Sequence, residues 1–249
     1  MTFISSFDGT RLYVEDEGDG SPVVLLHGFT SSIEGNWRQP GIWKAILETG
    51  KRVVGLDARG HGRSDKPHEV AAYQNQAMVK DVRALFDHLG LNHADVVGYS
   101  MGAGTAVRVA VNETRVRRLV LGGIGGDPAN SEGSQRLAVR GKRMLAGIES
   151  DDPTALEDKL ARRARRVAEA RGNDLKAMAA ILRAGGMGDR FDPAGVAAPT
   201  LVVCGDEDVS PDGLAAALPD ATPLVLAGDH ESVVSNPALA AAIAHFLDG

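Results

Sequence analysis

Ala94-Asp95-Val96-Val97-Gly98-Tyr99-Ser100-Met101-Gly102 carries more structural information than any other stretch of the chain. Ala94–Val97 reads as a short buried strand, and Met101–Val111 reads as a helix. Between them lies G-x-S-x-G, with glycines two residues either side of Ser100. A chain passing from strand to helix over so few residues must turn sharply, and glycine removes the side chains that would collide there. The serine hydroxyl is then held out at the carboxyl edge of the sheet, where open α/β sheets bind ligands. The helix that follows points its unpaired N–H groups and positive dipole end toward any negative charge developing nearby. Gly98–Thr105 lacks the Gly-Lys-Ser/Thr ending of a P-loop, which argues against a phosphate cradle. Neither Gly98–Gly104 nor Gly122–Gly126 spells G-x-G-x-x-G, which argues against a dinucleotide site.

Outward from this turn, strand and helix patterns alternate. Thr2–Ser6 and Arg11–Glu15 read as a hairpin around Asp8-Gly9. Val23–Leu26, Arg52–Leu56, Val116–Leu121, Thr200–Cys204 and Thr222–Leu226 are short apolar runs of the kind found in strands covered on both faces. Helical patterns fall at Trp43–Leu47, at Met78, Val82, Leu85, Phe86 and Leu89 within Ala72–Leu89, and at Pro237–Leu247. Gly90 follows the second of these as a C-terminal stop. Such alternation implies a mostly parallel sheet with right-handed crossovers and helices on both faces. The rhythm breaks after Gly122–Gly126. From about Ser134 to Ala184 the pattern is helical only, in three segments. The middle one places Leu156, Leu160, Ala164 and Val167 on one face and Arg162, Arg163, Arg165 and Arg166 mostly on others, with Asp158 set to pair with Arg162. The arginines read as a solvated helix face. The expected organisation is one α/β core, residues 1–126 and 191–249, carrying a helical cap at 127–190.

A chain of 249 residues with 43% apolar content can bury one large core. Its formal net charge of −6 argues against nucleic acid as a partner. The single cysteine, Cys204, excludes an intrachain disulfide, and its apolar setting marks a buried structural thiol. The N-terminal residues lack the basic-then-apolar layout of a secretory signal, and no run is long enough for a membrane helix. The expectation is a cytoplasmic protein with no membrane partner. Oligomeric state is not legible.

A serine hydroxyl becomes a useful nucleophile only when an imidazole takes its proton. His230, in Gly228-Asp229-His230 after the last strand, reaches the same sheet edge and is the candidate base. His88, His93 and His245 read as surface or packing residues, while His61 and His68 belong to the Arg59–Val70 loop. His27 precedes the nucleophile and reads as a loop stabiliser. The orienting carboxylate is expected in Gly205-Asp206-Glu207-Asp208, between Ser100 and His230 in chain order. Asp208 is the choice, with Asp206 as the alternative. Backbone N–H groups of Phe29 and Met101 are the candidate oxyanion hole. The acidic loop lacks an EF-hand ligand ladder, and no zinc-ligand spacing occurs, so no metal is expected.

With these residues in view, the chain resembles the α/β-hydrolase superfamily. It looks like the compact branch of cofactor-free haloperoxidase/perhydrolase-like esterases, carbon–carbon bond hydrolases and proline iminopeptidase-like enzymes. The resemblance rests on His27-Gly28-Phe29, Asp57-Ala58-Arg59-Gly60-His61-Gly62-Arg63-Ser64, Gly98–Gly102, Gly205–Asp208 and Gly228–His230. It implies hydrolysis through an acyl-enzyme, a Ser100–Asp208–His230 triad and a helical cap over the site, with no cofactor. Serine at the elbow sets the chain apart from haloalkane dehalogenases and epoxide hydrolases, which use aspartate. The acid loop also reaches its proline, Pro211, one residue sooner than in many relatives, which keeps Asp206 in play.

The expected activity is hydrolysis of a small or medium carboxylic ester. Carbon–carbon bond hydrolysis, lyase chemistry and acyl transfer by the same triad are the alternatives, and an intact triad argues against a ligand receptor without turnover. By position, Phe29, Trp37, Met101, Met144 and Met187 are expected to line a small-molecule pocket between cap and sheet edge.

Overall fold

The computed structural model describes residues 2–185 and 191–249. Eight strands form one sheet in the order β1-β2-β4-β3-β5-β6-β7-β8. They are β1 (Thr2–Ser5), β2 (Arg11–Glu17), β3 (Pro22–Leu26), β4 (Arg52–Leu56), β5 (Ala94–Tyr99), β6 (Val116–Gly122), β7 (Thr200–Gly205) and β8 (Ala221–Leu226). The β1/β2 hairpin is antiparallel, with Ile4 opposite Leu12, and β2 runs antiparallel to β4. Every other neighbouring pair is parallel. Gly9 closes the hairpin at φ +85°, a conformation open to glycine, while Asp8 accepts a hydrogen bond from the Thr10 amide.

Side-chain alternation along the central strands divides the interior into two layers. Val24 and Leu26 of β3 join Val54, Val96 and Val202 on one face, beneath α2 (Ala77–His88) and α3 (Met101–Asn112). Val23 and Leu25 join Val53, Val97 and Val203 on the other, beneath α1 (Ile42–Glu48) and α8 (Pro237–Asp248). Both faces being covered is what gives these strands continuous apolar sequence. The pattern read over Ala72–Leu89 resolves into two pieces, a 3₁₀ turn at Val70–Tyr73 and α2. Asn75 and Gln76 separate them, both at positive φ.

Between β6 and β7 lie α4 (Ser131–Glu149), α5 (Lys159–Ala170) and α6 (Leu175–Ala184). The expected Asp158–Arg162 pair does not form. Asp158 is instead the N-cap of α5, accepting from the amides of Leu160 and Ala161, and its carboxylate binds Arg143 at 2.6 and 2.8 Å. The buried stripe of α5 is Ala161, Ala164 and Ala168; Leu156 lies before the helix, and Leu160 and Val167 are half-buried. Small residues are needed here because α4 approaches closely, and a Cβ on Gly147 would overlap the Ala161 carbonyl. Three of the four arginines find partners within the protein. Arg162 reaches the Leu156 carbonyl, Arg163 pairs with Glu231, and Arg165 binds Glu169 and the carbonyls of Ile148 and Ser150.

The three-helix block meets the core through an apolar cluster that includes Ile148, Met178 and Ile181 from its helices and Tyr73 and Met101 from the core. Polar ties join the same surfaces. Asn173 donates to the Thr30 carbonyl at 3.0 Å, and His68 meets Asp174 at 3.0 Å. Behind the 3₁₀ turn, the fully buried Arg59 guanidinium binds Asp81 at 2.7 and 2.6 Å, Asp8 at 2.8 Å and the Ala72 carbonyl.

Candidate active site

Ser100 sits between β5 and α3 with φ +52° and ψ −111°, a conformation that a side-chain-bearing residue rarely adopts. Its amide donates to the Gly122 carbonyl at 2.7 Å and its carbonyl accepts from Gly104, so the strain is held from both sides. The flanking glycines are sterically required. A Cβ on Gly98 would run into Gly102 and Ala103, and one on Gly102 would overlap the Leu26 carbonyl of β3.

His230 comes from the loop after β8, 130 residues downstream, and its Nε2 lies 2.9 Å from Ser100 Oγ. Its Nδ1 lies 2.6 Å from Asp208 Oδ2, in the loop after β7. A carboxylate oxygen accepts, so Nδ1–H donates to it and Nε2 is left free to accept the serine proton. Burial alone would raise the Asp208 carboxyl, but the hydrogen bond and charge of His230 outweigh it and hold the group below the usual carboxylate range. Asp206 is turned elsewhere: its Oδ1 accepts from the Gly228 amide at 2.8 Å and ties the acid loop to the histidine loop. Asp229 braces the histidine loop, accepting from the amides of Glu231 and Ser232.

The loop after β3 faces the elbow, with the Cβ position of Gly28 only 3.4 Å from Ser100 Cβ. Gly28 N–H donates to buried Asn36 Oδ1 at 2.8 Å. His27 is held in one tautomer. The Ala58 amide can only donate, so Nε2 accepts it at 3.0 Å, and Nδ1–H donates to the Gly28 carbonyl at 2.8 Å. Burial pushes the His27 pKa down and keeps the ring neutral. Buried Asp57 accepts from the amides of Ile33 and Arg63, anchoring the same loop from below. His61 packs edge-on against both His27 and Phe29, and burial beside His27 lowers its pKa to about 3. His88, His93 and His245 are exposed.

Of the expected pocket residues, Met101, Phe29 and Met144 meet in the apolar cluster between the helical block and the core. Trp37 does not. It is 1% exposed and packs in the sheet layer beneath α1 and α8, so its size serves the core. Met187 lies outside the described residues. Sequence reasoning missed Asn36, and it held Asp57 and Asp229 only as members of the motifs Asp57–Ser64 and Gly228–His230, with no part assigned to either. Among the described residues no group of three or more His, Cys, Asp or Glu side chains is arranged to hold a metal ion, and no helix is long and apolar enough to cross a membrane.

A mostly parallel eight-stranded sheet with a strained serine at the β5–α3 turn and a histidine after the last strand defines a class, the α/β-hydrolases. The chain has the fold of that class, and the family model described as alpha/beta hydrolase fold matches residues 21–142. Among solved structures it is similar to an esterase from Exiguobacterium antarcticum (TM-score 0.75, 24% identity, covering 100% of this chain and 99% of that one). It is also similar to an enol-lactonase from Burkholderia xenovorans LB400 (TM-score 0.73, 25% identity, 100% of both chains). A 2-hydroxymuconate semialdehyde hydrolase of Pseudomonas sp. (strain CF600) is 35% identical over 121 residues, 47% of this chain and 41% of that protein. The chain matches curated relatives over less than two thirds of their own length, 38%, 49% and 44% in three further cases.

Proposed function

We propose that this chain is a serine hydrolase that cleaves a small or medium carboxylic ester through an acyl-enzyme. One observation carries the reading: Ser100, His230 and Asp208 form an unbroken hydrogen-bonded chain with contacts of 2.9 and 2.6 Å. His230 Nε2 takes the serine proton as Oγ attacks the ester carbonyl, and Asp208 stabilises the imidazolium that results. The tetrahedral oxyanion is received by the amides of Met101 and Phe29. Met101 opens α3, so its N–H has no intrahelical partner, and Gly28 lets the Phe29 segment approach the serine. Each such donor is worth about 10²–10³ in turnover. Imidazolium then protonates the leaving alcohol, and neutral His230 activates the water that frees the acid. The acyl group lies against Phe29, Met101 and Met144, beneath the helical block, which acts as a cap.

A p-nitrophenyl ester series from acetate to decanoate tests this. The expected result is a p-nitrophenol burst near one equivalent per protein, highest kcat/KM at short or medium chain length, and loss of turnover in Ser100→Ala. Near-native turnover by Ser100→Ala contradicts it. The similarity to the 2-hydroxymuconate semialdehyde hydrolase favours a second reading, carbon–carbon bond hydrolysis by the same three residues. Negligible ester turnover beside rapid cleavage of 2-hydroxymuconate semialdehyde selects that reading.

A further inference from the structure

Behind the His230 ring stands a side chain with no part in the scheme above. Tyr99, the last residue of β5, is 5% exposed, and its hydroxyl donates to the His230 carbonyl oxygen at 2.6 Å. Its ring fills a slot made by two glycines at the end of β6. A Cβ on Gly122 would meet Tyr99 Cδ2 at 2.6 Å, and one on Gly123 would meet Tyr99 Cζ at 2.9 Å and His230 Cε1 at 3.1 Å. Gly123 also has φ +67°, so the slot depends on glycine twice over. The rings of Tyr99 and His230 are 5.6 Å apart, tilted by 47°. The glycine-rich stretch where the strand–helix rhythm breaks therefore has a local purpose: it seats this tyrosine against the histidine.

We infer that Tyr99 is a positioning residue for His230, fixing the main chain from which the imidazole hangs so that Nε2 stays on Ser100 Oγ while Nδ1 stays on Asp208. This rests on the serine-hydrolase reading. In the resting state two hydrogen bonds hold the ring, one to Asp208 and one to Ser100. Once Oγ has attacked, the serine contact is gone, and the imidazolium must turn its proton toward the leaving oxygen. The ring is then held by Asp208 and by its own backbone. The far side of that backbone is pinned by Asp229, through the amides of Glu231 and Ser232. The near side is pinned by the Tyr99 hydroxyl. Burial pushes the phenol pKa up, so the group stays a donor. A restraint on the anchor thus acts in the transition state as well as the ground state, and a misplacement well below 1 Å suffices to slow proton transfer.

Tyr99→Phe removes one oxygen and leaves the ring in its slot. Three readouts are compared with wild type, each well below the variant's melting temperature: the rate of Ser100 modification by a fluorophosphonate, kcat and KM on the best p-nitrophenyl ester, and the far-downfield proton resonance of His230 Nδ1–H. The expected result is a fall of about tenfold in both modification rate and kcat, with KM unchanged and the resonance moved or broadened. A tyrosine that merely fills space predicts otherwise. Wild-type modification rate and kcat within twofold, whatever the change in melting temperature, overturn the inference and leave the serine-hydrolase reading standing. A wild-type protein that takes no label at Ser100 overturns both, so the two failures are told apart.

Discussion

At the scale of single residues, the two carboxylates of the acid loop are separated by what they touch. Asp208 receives the His230 Nδ1–H, whereas Asp206 receives a backbone amide. Asp208→Asn is expected to lower kcat by about 10³–10⁴, because an amide in that place favours the wrong imidazole tautomer. Asp206→Asn is expected to cost less than about tenfold, as it only loosens the join between two loops. Steady-state kinetics of the two variants checks the assignment, and the reverse order refutes it. Because the folded-state pKa of Asp208 is depressed, its stabilising contribution is full above the unfolded value of about 3.9 and is lost as pH falls through the folded one. The places of Ser100, His230 and the Gly205–Asp208 loop were legible because each follows a strand pattern, in the chain order serine, carboxylate, histidine. Choosing between Asp206 and Asp208 needed three-dimensional contact. Trp37 was misread because a large apolar side chain near a loop has the same sequence signature in a pocket wall and in a core.

At the scale of elements, the close approach of α3 to β3 makes a strict demand on sequence. Gly102 lies where a methyl group would overlap the Leu26 carbonyl, and backbone on both sides leaves no flexible neighbour to yield. Gly102→Ala is therefore expected to destabilise the fold by about 1–3 kcal/mol or more, read as a lower melting temperature by circular dichroism. An unchanged melting temperature contradicts the packing described. Strands were legible to within a residue or two, since burial on both faces fills β3, β4 and β7 mostly with Val and Leu. The split within Ala72–Leu89 was not, because Asn75 and Gln76 adopt left-handed conformations without glycine to announce them. The buried face of α5 was hidden for a similar reason: alanines pack where α4 comes close, and the longer apolar side chains beside them looked the better core.

Across the whole molecule, one buried charge cluster links the N-terminal hairpin, α2 and the turn beneath the helical block. Arg59 neutralises Asp81, which is 1% exposed and whose pKa is raised by burial even with its partner in place. Arg59→Met strands that carboxylate, and the expected loss at neutral pH is about 3–5 kcal/mol. The sign of the pH dependence follows from protonation. A buried acid with a raised pKa binds its proton more tightly in the folded state, so the variant's deficit is smallest below about pH 4 and grows as pH rises. Denaturant unfolding at pH 4 and pH 7 checks it, and an equal loss at both contradicts it. At the carboxyl edge of the sheet, residues 130 positions apart meet at hydrogen-bond distance. That meeting is the central claim. Wild-type protein treated with a fluorophosphonate is predicted to gain the mass of one adduct, mapping to Ser100, absent from Ser100→Ala and much slower to form in His230→Ala. No adduct, or an adduct on another residue, contradicts it.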